Sequence, residues 1–243
     1  MCDSNFLKNQ ILKLIEEPDK NDEQRLDQFL ECINKSSIDG VLNWLENIKA
    51  NLPAEVTEIN LNEVNDGWVF NQETGNLEHK TGGFFKVIGV RTETSIRESG
   101  KGWNQPMVDQ GTEASVVGLV KHNNKYLIEA KFEPGNYGEV LLSPTLQVTY
   151  DNLNKLHSGR KPLYSEYFDG TIVVGIDVKF EHWYPEDGGR FYKKRVKNML
   201  VEIDNEIKNI PQNFIWLNMY QLKELLKLDN IMNPHLRSII SYL

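Results

Sequence analysis

Lys131, Glu133, Asn136, Ser143, Thr145, Gln147 and Thr149 fall within one short stretch of the chain. An amine, a carboxylate, amides and hydroxyls so close together can move protons and orient a polar ligand, provided the backbone points them the same way. Strand alternation does so. If Tyr126–Glu133 is extended, side chains take opposite faces in turn. Tyr126, Ile128, Ala130 and Phe132 then share one face, and Leu127, Glu129, Lys131 and Glu133 the other. In Leu141–Thr149 the same rule sets Ser143, Thr145, Gln147 and Thr149 opposite Leu142, Leu146 and Val148. Two adjacent strands with such faces line a polar cleft. The commoner use of a polar strand face is contact with water outside an antiparallel sheet. Pro134-Gly135-Asn136 is a turn signal directly after Glu133. It favours the cleft, because it sets the carboxylate at a strand end, where loops on a rigid scaffold carry sites.

Three further places hold residues able to do chemistry. Trp103 stands in Gly102-Trp103-Asn104-Gln105-Pro106, read as a Gly-rich loop. It is either a core anchor or a stacking platform for a planar ligand, with Gln105 and Gln110 reading polar edges. Arg190 follows two glycines in Gly188-Gly189-Arg190-Phe191-Tyr192, which makes it either an exposed turn residue or a bidentate phosphate contact. His157, in His157-Ser158-Gly159, is a loop histidine available as a general acid or as a surface hydrogen-bonding group.

Other chemistries lack their residues. The histidines at 79, 122, 157, 182 and 235 show no metal-ligand spacing, and Cys2 and Cys32 form no Cys-x-x-Cys pair. No nucleophile elbow, Walker loop or dinucleotide-binding glycine motif occurs. The metal-binding helix of ordinary Nudix pyrophosphatases is missing as well.

The elements that must hold these residues are of two textures. Leu7, Ile11, Leu14 and Ile15 recur at helical spacing up to Pro18, as do Leu26, Phe29, Leu30 and Ile33; Ser37 would cap a third helix through Val41, Leu42, Leu45 and Ile48. From about residue 56 the chain turns to short β-type runs: Gly83–Arg91, Ser115–His122, Tyr126–Glu133, Val140–Thr149, Thr171–Phe180 and Phe191–Ile203. His122-Asn123-Asn124-Lys125 is a hairpin signal. Helices return at Met219–Leu228 and His235–Leu243. Helices, then mostly antiparallel strands, then helices make an α+β fold rather than a repeating βα unit.

A net charge of −8 without a basic stripe argues against nucleic acid as a partner. No apolar run approaches the roughly 20 residues that span a bilayer. Two cysteines and no apolar leader after the start predict a reduced, cytoplasmic setting.

The ordered blocks Asp66-Gly67-Trp68, Thr74-Gly75-Asn76, Gly83-Phe84-Phe85, Trp103-x-Gln105-Pro106 with Gln110, and Ala130-Lys131-x-Glu133-Pro134-Gly135-Asn136 resemble the NDP-hexose 2,3-dehydratases of deoxysugar biosynthesis. So do Ser143-Pro144-Thr145-x-Gln147-x-Thr149, Asn152, His157-x-Gly159, Tyr167-Phe168, Gly189-Arg190-Phe191-Tyr192, Asn198-Met199-x-Val201-Glu202 and Arg237-Ser238. The resemblance covers about residues 40–243. It implies a Nudix-like mixed or antiparallel sheet sandwiched by helices over residues 53–243, with residues 1–52 as a helical N-terminal segment. Family members typically carry two tandem copies of this unit, whereas this chain carries one, which implies a homodimer. Gly83 stands where the family usually has arginine.

The implied substrate is a dTDP-4-keto-6-deoxyhexose, which loses water across C2 and C3 and passes to a 3-ketoreductase. The chemistry needs a base, an acid and stabilisation of the C4 oxyanion, and no metal or redox cofactor. The implied base is Glu133. Lys131 either polarises the C4 oxygen or holds the diphosphate, and His157 or Tyr167 is the acid. Asn136, Thr145, Gln147 and Thr149 orient the sugar; Trp103, with Gln105 and Gln110, takes the thymine, and Arg190, beside Tyr192, the diphosphate. The alternative is a non-catalytic dTDP-sugar binding module, or half of a hetero-oligomeric dehydratase.

Overall fold

The computed structural model describes residues 4–33, 35–94, 101–153 and 161–243. Three helices open the chain: α1 (Ser4–Leu12), α2 (Lys20–Ile33) and α3 (Asp39–Ala50). α1 stops at Leu12, short of the apolar spacing that continues to Ile15, and Leu14 is largely exposed. Ser37 lies two residues before the start of α3 rather than capping it. Ile38 holds the cap position without a side-chain bond, and the Ser37 hydroxyl accepts from Asp39 N–H at 3.1 Å.

Strands β1 (Trp68–Phe70), β2 (Leu77–His79), β3 (Lys86–Thr92) and β4 (Trp103–Asp109) form a small antiparallel sheet in chain order. The stretch around Trp103, expected as a loop, is therefore a strand. Pro106, which cannot donate to a ladder, is tolerated because β4 is an edge.

A larger mixed sheet holds β5 (Glu113–His122), β6 (Lys125–Phe132), β7 (Val140–Ser143), β8 (Leu146–Thr149), β9 (Ile176–Pro185), β10 (Arg195–Ile203) and β11 (Phe214–Asn218). Its main order is β11-β6-β5-β10-β9, with β10 parallel to β5 and the other pairs antiparallel. Asn123 and Asn124 both take positive φ between β5 and β6, as a two-residue hairpin turn requires. β9 runs to Pro185, later than the apolar run Thr171–Phe180 indicates. β10 begins at Arg195, because residues 186–194 form the connection between the two. β4 meets that connection: Val108 N–H donates to Arg190 O at 2.9 Å, and Tyr192 N–H to Val108 O at 2.8 Å.

Each face of the large sheet has its own core. On one, Val117, Leu119, Tyr126 and Ile128 pack with α3, α5 (Met219–Leu225) and α6 (Pro234–Ile240). On the other, Val116, Val120, Leu127 and Val201 pack with Tyr164, Phe168 and Phe214, near α4 (Tyr150–Leu153) and the single helical turn Ser165–Tyr167. The alternation read from β6 is realised: Tyr126, Ile128 and Ala130 enter the first core and Leu127 the second. α3, which the sequence groups with the N-terminal segment, gives Val41 and Leu45 to that first core. No helix among the described residues is long and apolar enough to cross a membrane.

Candidate functional site

The site is built on a fork. β5 and β6 pair only from Val120–His122 to Lys125–Leu127, then separate. β7 lies along β6, with Glu129 opposite Ser143, and β8 lies along β5, with Val117 opposite Gln147. The expected single strand Val140–Thr149 is thus two strands, broken at Pro144 where the chain crosses from one tine to the other. The crossing also reassigns faces. Leu142 joins the first core, whereas Leu146 and Val148 join the second.

Thr145 sits where the strands divide. Its hydroxyl donates to Leu127 O of β6 at 2.5 Å and accepts from Val120 N–H of β5 at 2.9 Å. With 2% of its surface exposed, Thr145 closes the fork, its hydroxyl bonded to both strands.

Across the fork runs one polar network. Lys131 Nζ donates to Gln147 O at 2.9 Å, and Gln147 Nε2 donates to Glu133 Oε1 at 2.9 Å. Gln147 Oε1 accepts from Ser143 Oγ at 3.1 Å and from Asn233 Nδ2 at 2.7 Å. Asn233 also caps α6, accepting from Leu236 N–H at 2.9 Å, with Pro234 in the first turn. The expected grouping of Lys131, Glu133 and Gln147 is therefore present. Asn233 was not expected; its only signal is the Asn-Pro helix start.

Two titratable groups here are perturbed. Glu129 is half-buried, with Asn213 Nδ2 donating to its Oε1 at 3.3 Å. Burial pushes its carboxyl up to about 7; Lys131 opposes the shift and Glu133 adds to it. His235, two residues past Asn233, is held below the ordinary imidazole value. Burial is the main cause; Lys194 and Lys131 lower it further, and Glu186 and Glu133 pull it up. His235 thus stands within electrostatic reach of both the Lys131–Glu133 pair and the Glu186–Lys194 ion pair, whose atoms are 3.4 Å apart. Alternation put Glu129 beside Lys131, but nothing in the sequence marks its burial. His235 carries no spacing signal.

The remaining expected residues divide into groups. Asn136 belongs to the turn after Glu133: its N–H donates to Glu133 O at 3.0 Å and its amide reaches Glu139 O at 3.4 Å. Thr149 Oγ1 accepts from Asn152 N–H at 3.3 Å at the start of α4. Tyr167 is half-buried beside Tyr164, ring centroids 6.4 Å apart, and burial raises both phenols. On the small sheet Trp103 Nε1 donates to Gln105 Oε1 at 2.7 Å, and Gln105 Nε2 donates to Gly189 O at 2.9 Å. Arg190 is exposed, with Nη1 3.2 Å from Gly189 O. Tyr192 lies under Lys193, whose Nζ is 5.1 Å from its ring centroid. Gln110 is half-buried between β4 and β5. His157 lies outside the described residues. Among the described residues no cluster of His, Cys, Asp and Glu could hold a metal ion.

Lys131, Glu133, a Glu129 carboxyl pushed up to about 7 and a His235 imidazole held below its ordinary value, gathered at the end of a forked sheet, make an arrangement suited to proton transfer. The chain belongs to the family whose model, NDP-hexose 2,3-dehydratase, matches residues 38–243. Its curated relatives include three named dTDP-4-dehydro-6-deoxy-alpha-D-glucopyranose 2,3-dehydratase. That of Saccharopolyspora spinosa is 39% identical over 72% of this chain and 36% of its own length. That of Amycolatopsis orientalis is 32% identical over 87% and 47%, and that of Streptomyces violaceoruber 32% over 72% and 40%. The chain therefore spans between about a third and a half of these relatives. A solved structure described as an ADP compounds hydrolase aligns with 65% of this chain and 83% of its own, at 11% identity and a TM-score of 0.41.

Proposed function

We propose that this chain is a nucleotide-sugar 2,3-dehydratase, a carbon–oxygen lyase acting on a dTDP-4-keto-6-deoxyhexose. The observation that carries this reading is the family match across residues 38–243, which contains the whole Lys131–Glu133–Gln147 network. The C4 ketone acidifies the C3 proton, and Glu133 removes it. Lys131 stabilises the C4 oxyanion. The C3–O bond stays intact while the C2–O bond breaks, and the hydroxyl leaves as water after accepting a proton. The enol that remains tautomerises to a 3,4-diketone by protonation at C2. Tyr167 keeps its proton because burial raises its phenol, and Glu129 keeps much of its own at neutral pH; either is suited to protonate the leaving group, alongside His157. Gln147, Asn136 and Thr149 orient the sugar, and Arg190, near Tyr192, binds the diphosphate. The ketone supplies the activation, so no step calls on a metal or redox cofactor. The product is an unstable diketone, so a 3-ketoreductase acts next, and the setting is cytoplasmic.

A second reading has an observation of its own. The chain spans 36–47% of its curated relatives, as would one half of a two-part enzyme. A homodimer brings two such units together; a binding module or a hetero-oligomeric subunit does not need to. Incubation of the purified chain with dTDP-4-keto-6-deoxyglucose and a trapping 3-ketoreductase separates these. Loss of water, followed by mass spectrometry, supports the lyase. Binding without product supports the module.

A further inference from the structure

A cavity of about 670 Å³ lies between α3 and the end of β6, a size within the ~300–1,000 Å³ range of ligand pockets. Its back wall is a strand edge, and backbone alternation decides what that edge offers. Glu133 N–H donates to Glu139 O at 3.0 Å on the β7 side, and Ala130 N–H donates to Asn213 O at 2.8 Å on the β11 side. Phe132, two residues past Ala130, therefore turns its N–H and C=O to the β11 side. β11 does not reach it. The ladder ends with Phe214 opposite Glu129, and Phe214 N–H donates to Pro211 O at 2.9 Å in a turn that carries the chain away. The Phe132 residue thus presents one donor and one acceptor to the cavity, with no strand opposite among the described residues.

The side walls are apolar, from Trp44, Ile48, Leu52 and Val140. The Trp44 indole is pinned by its Nε1–H, which donates to Gln212 O at 2.9 Å. Asn47 and Asn213 add a polar rim. A donor beside an acceptor, between aromatic and aliphatic walls, suits a flat ring that carries an N–H next to a C=O. Asn51, Glu129, Lys131 and Gln212 complete the cavity's polar lining.

We infer that this cavity seats the pyrimidine base of the nucleotide-sugar, its imide edge paired with the Phe132 backbone and its face against Trp44. The inference rests on the nucleotide-sugar reading above. It moves the base from Trp103, whose Nε1 is bonded to Gln105, to the far side of β6. Phe132 stands between Lys131 and Glu133 in the chain, so a base held there leaves the rest of the nucleotide to extend along the same strand end. α3, which forms the outer wall, lies within the family-matched residues, whereas α1 and α2 lie outside them.

Calorimetry with thymidine 5′-diphosphate as the probe tests the assignment. The wild-type chain should bind it, and N3-methylthymidine 5′-diphosphate, whose imide N–H is blocked, at least tenfold more weakly. Asn47 is exposed on α3 at the cavity rim, so Asn47→Trp should fill the cavity, keep the melting temperature and weaken thymidine diphosphate at least tenfold. Asn51→Trp, one turn further along the same rim, should act alike. Unchanged affinity in a folded form of either variant overturns the cavity assignment and leaves the nucleotide-sugar reading standing. A loss confined to Trp103→Ala does the same, and equal affinity for the N3-methyl analogue overturns the edge pairing. No binding of thymidine diphosphate by the wild type removes the nucleotide-sugar reading itself.

Discussion

Glu129 and His235 are displaced in opposite directions by the same force, because burial penalises whichever form is charged. At neutral pH Glu129 keeps a large share of its proton and His235 has lost its own. The shift also sets a pH dependence of stability. The Glu129 carboxyl rises from 4.5 to about 7 in the folded chain, so its favourable neutral form is fully present below 4.5. That contribution is lost as pH climbs through 7, by roughly 3 kcal/mol at about 1.36 kcal/mol per unit. Glu129→Gln cannot ionise. Urea midpoints at pH 5 and pH 8 should therefore lie closer together in the variant than in the wild type; equal differences would contradict the buried carboxyl. For the reaction itself, Glu133→Gln should lower kcat by ~10²–10⁴-fold with KM little changed. Full turnover in that variant removes Glu133 as the base.

At the scale of elements, the fork between β5 and β6 depends on one hydroxyl. Thr145→Val keeps the shape but leaves Val120 N–H and Leu127 O without their partner, each at a cost of roughly 1–3 kcal/mol. Chemical denaturation should record the loss, and a change below half a kcal/mol would show that the fork closes without it. Behind the fork, β5 carries Gly118 because Phe168 lies directly on the sheet: a Cβ at that position would run into the phenyl ring. Gly118→Ala should destabilise by about 1–3 kcal/mol as Phe168 is pushed off. Phe168→Leu in the same chain should relieve part of that cost if the clash is the cause.

For the whole molecule, the first helices are fastened to the domain rather than appended to it. Leu26, Leu30 and Glu31 of α2 are buried, and Glu31 joins Lys121 at 2.9 Å and the Tyr126 hydroxyl at 3.0 Å. Asn218 Nδ2 donates to Ser36 Oγ at 2.8 Å. A chain starting after residue 36 should melt at a lower temperature, because Tyr126 then buries its hydroxyl without an acceptor. The outer side of the same helices exposes Phe6, Phe29 and Ile33. If that side carries the proposed dimer, the truncated chain should also elute later in size exclusion than its lost mass accounts for. An unchanged dimer places the contact elsewhere.

Alternation along β6, the Asn-Asn hairpin and the α+β order of elements could all be read from the residues, because each depends on neighbours a few positions apart. The grouping of Lys131 with Glu133 is local in the same sense. The three-residue strands β1 and β2 and the strand β11 escaped, since their partners are distant and their runs too short for periodicity to register. Pro144 is visible in the sequence, but only the separation of β5 from β6 turns it into a crossing that buries Thr145 and brings Gln147 to Glu133. His235 and Asn233 reach the site from the far end of the chain, and Glu129 owes its retained proton to burial, with Glu133 adding to it. The sequence by itself determined which polar residues share a strand face. The tertiary structure decided which of them are buried, which are spent on the fork and which face a cavity, because burial depends on contacts between segments that no local pattern encodes.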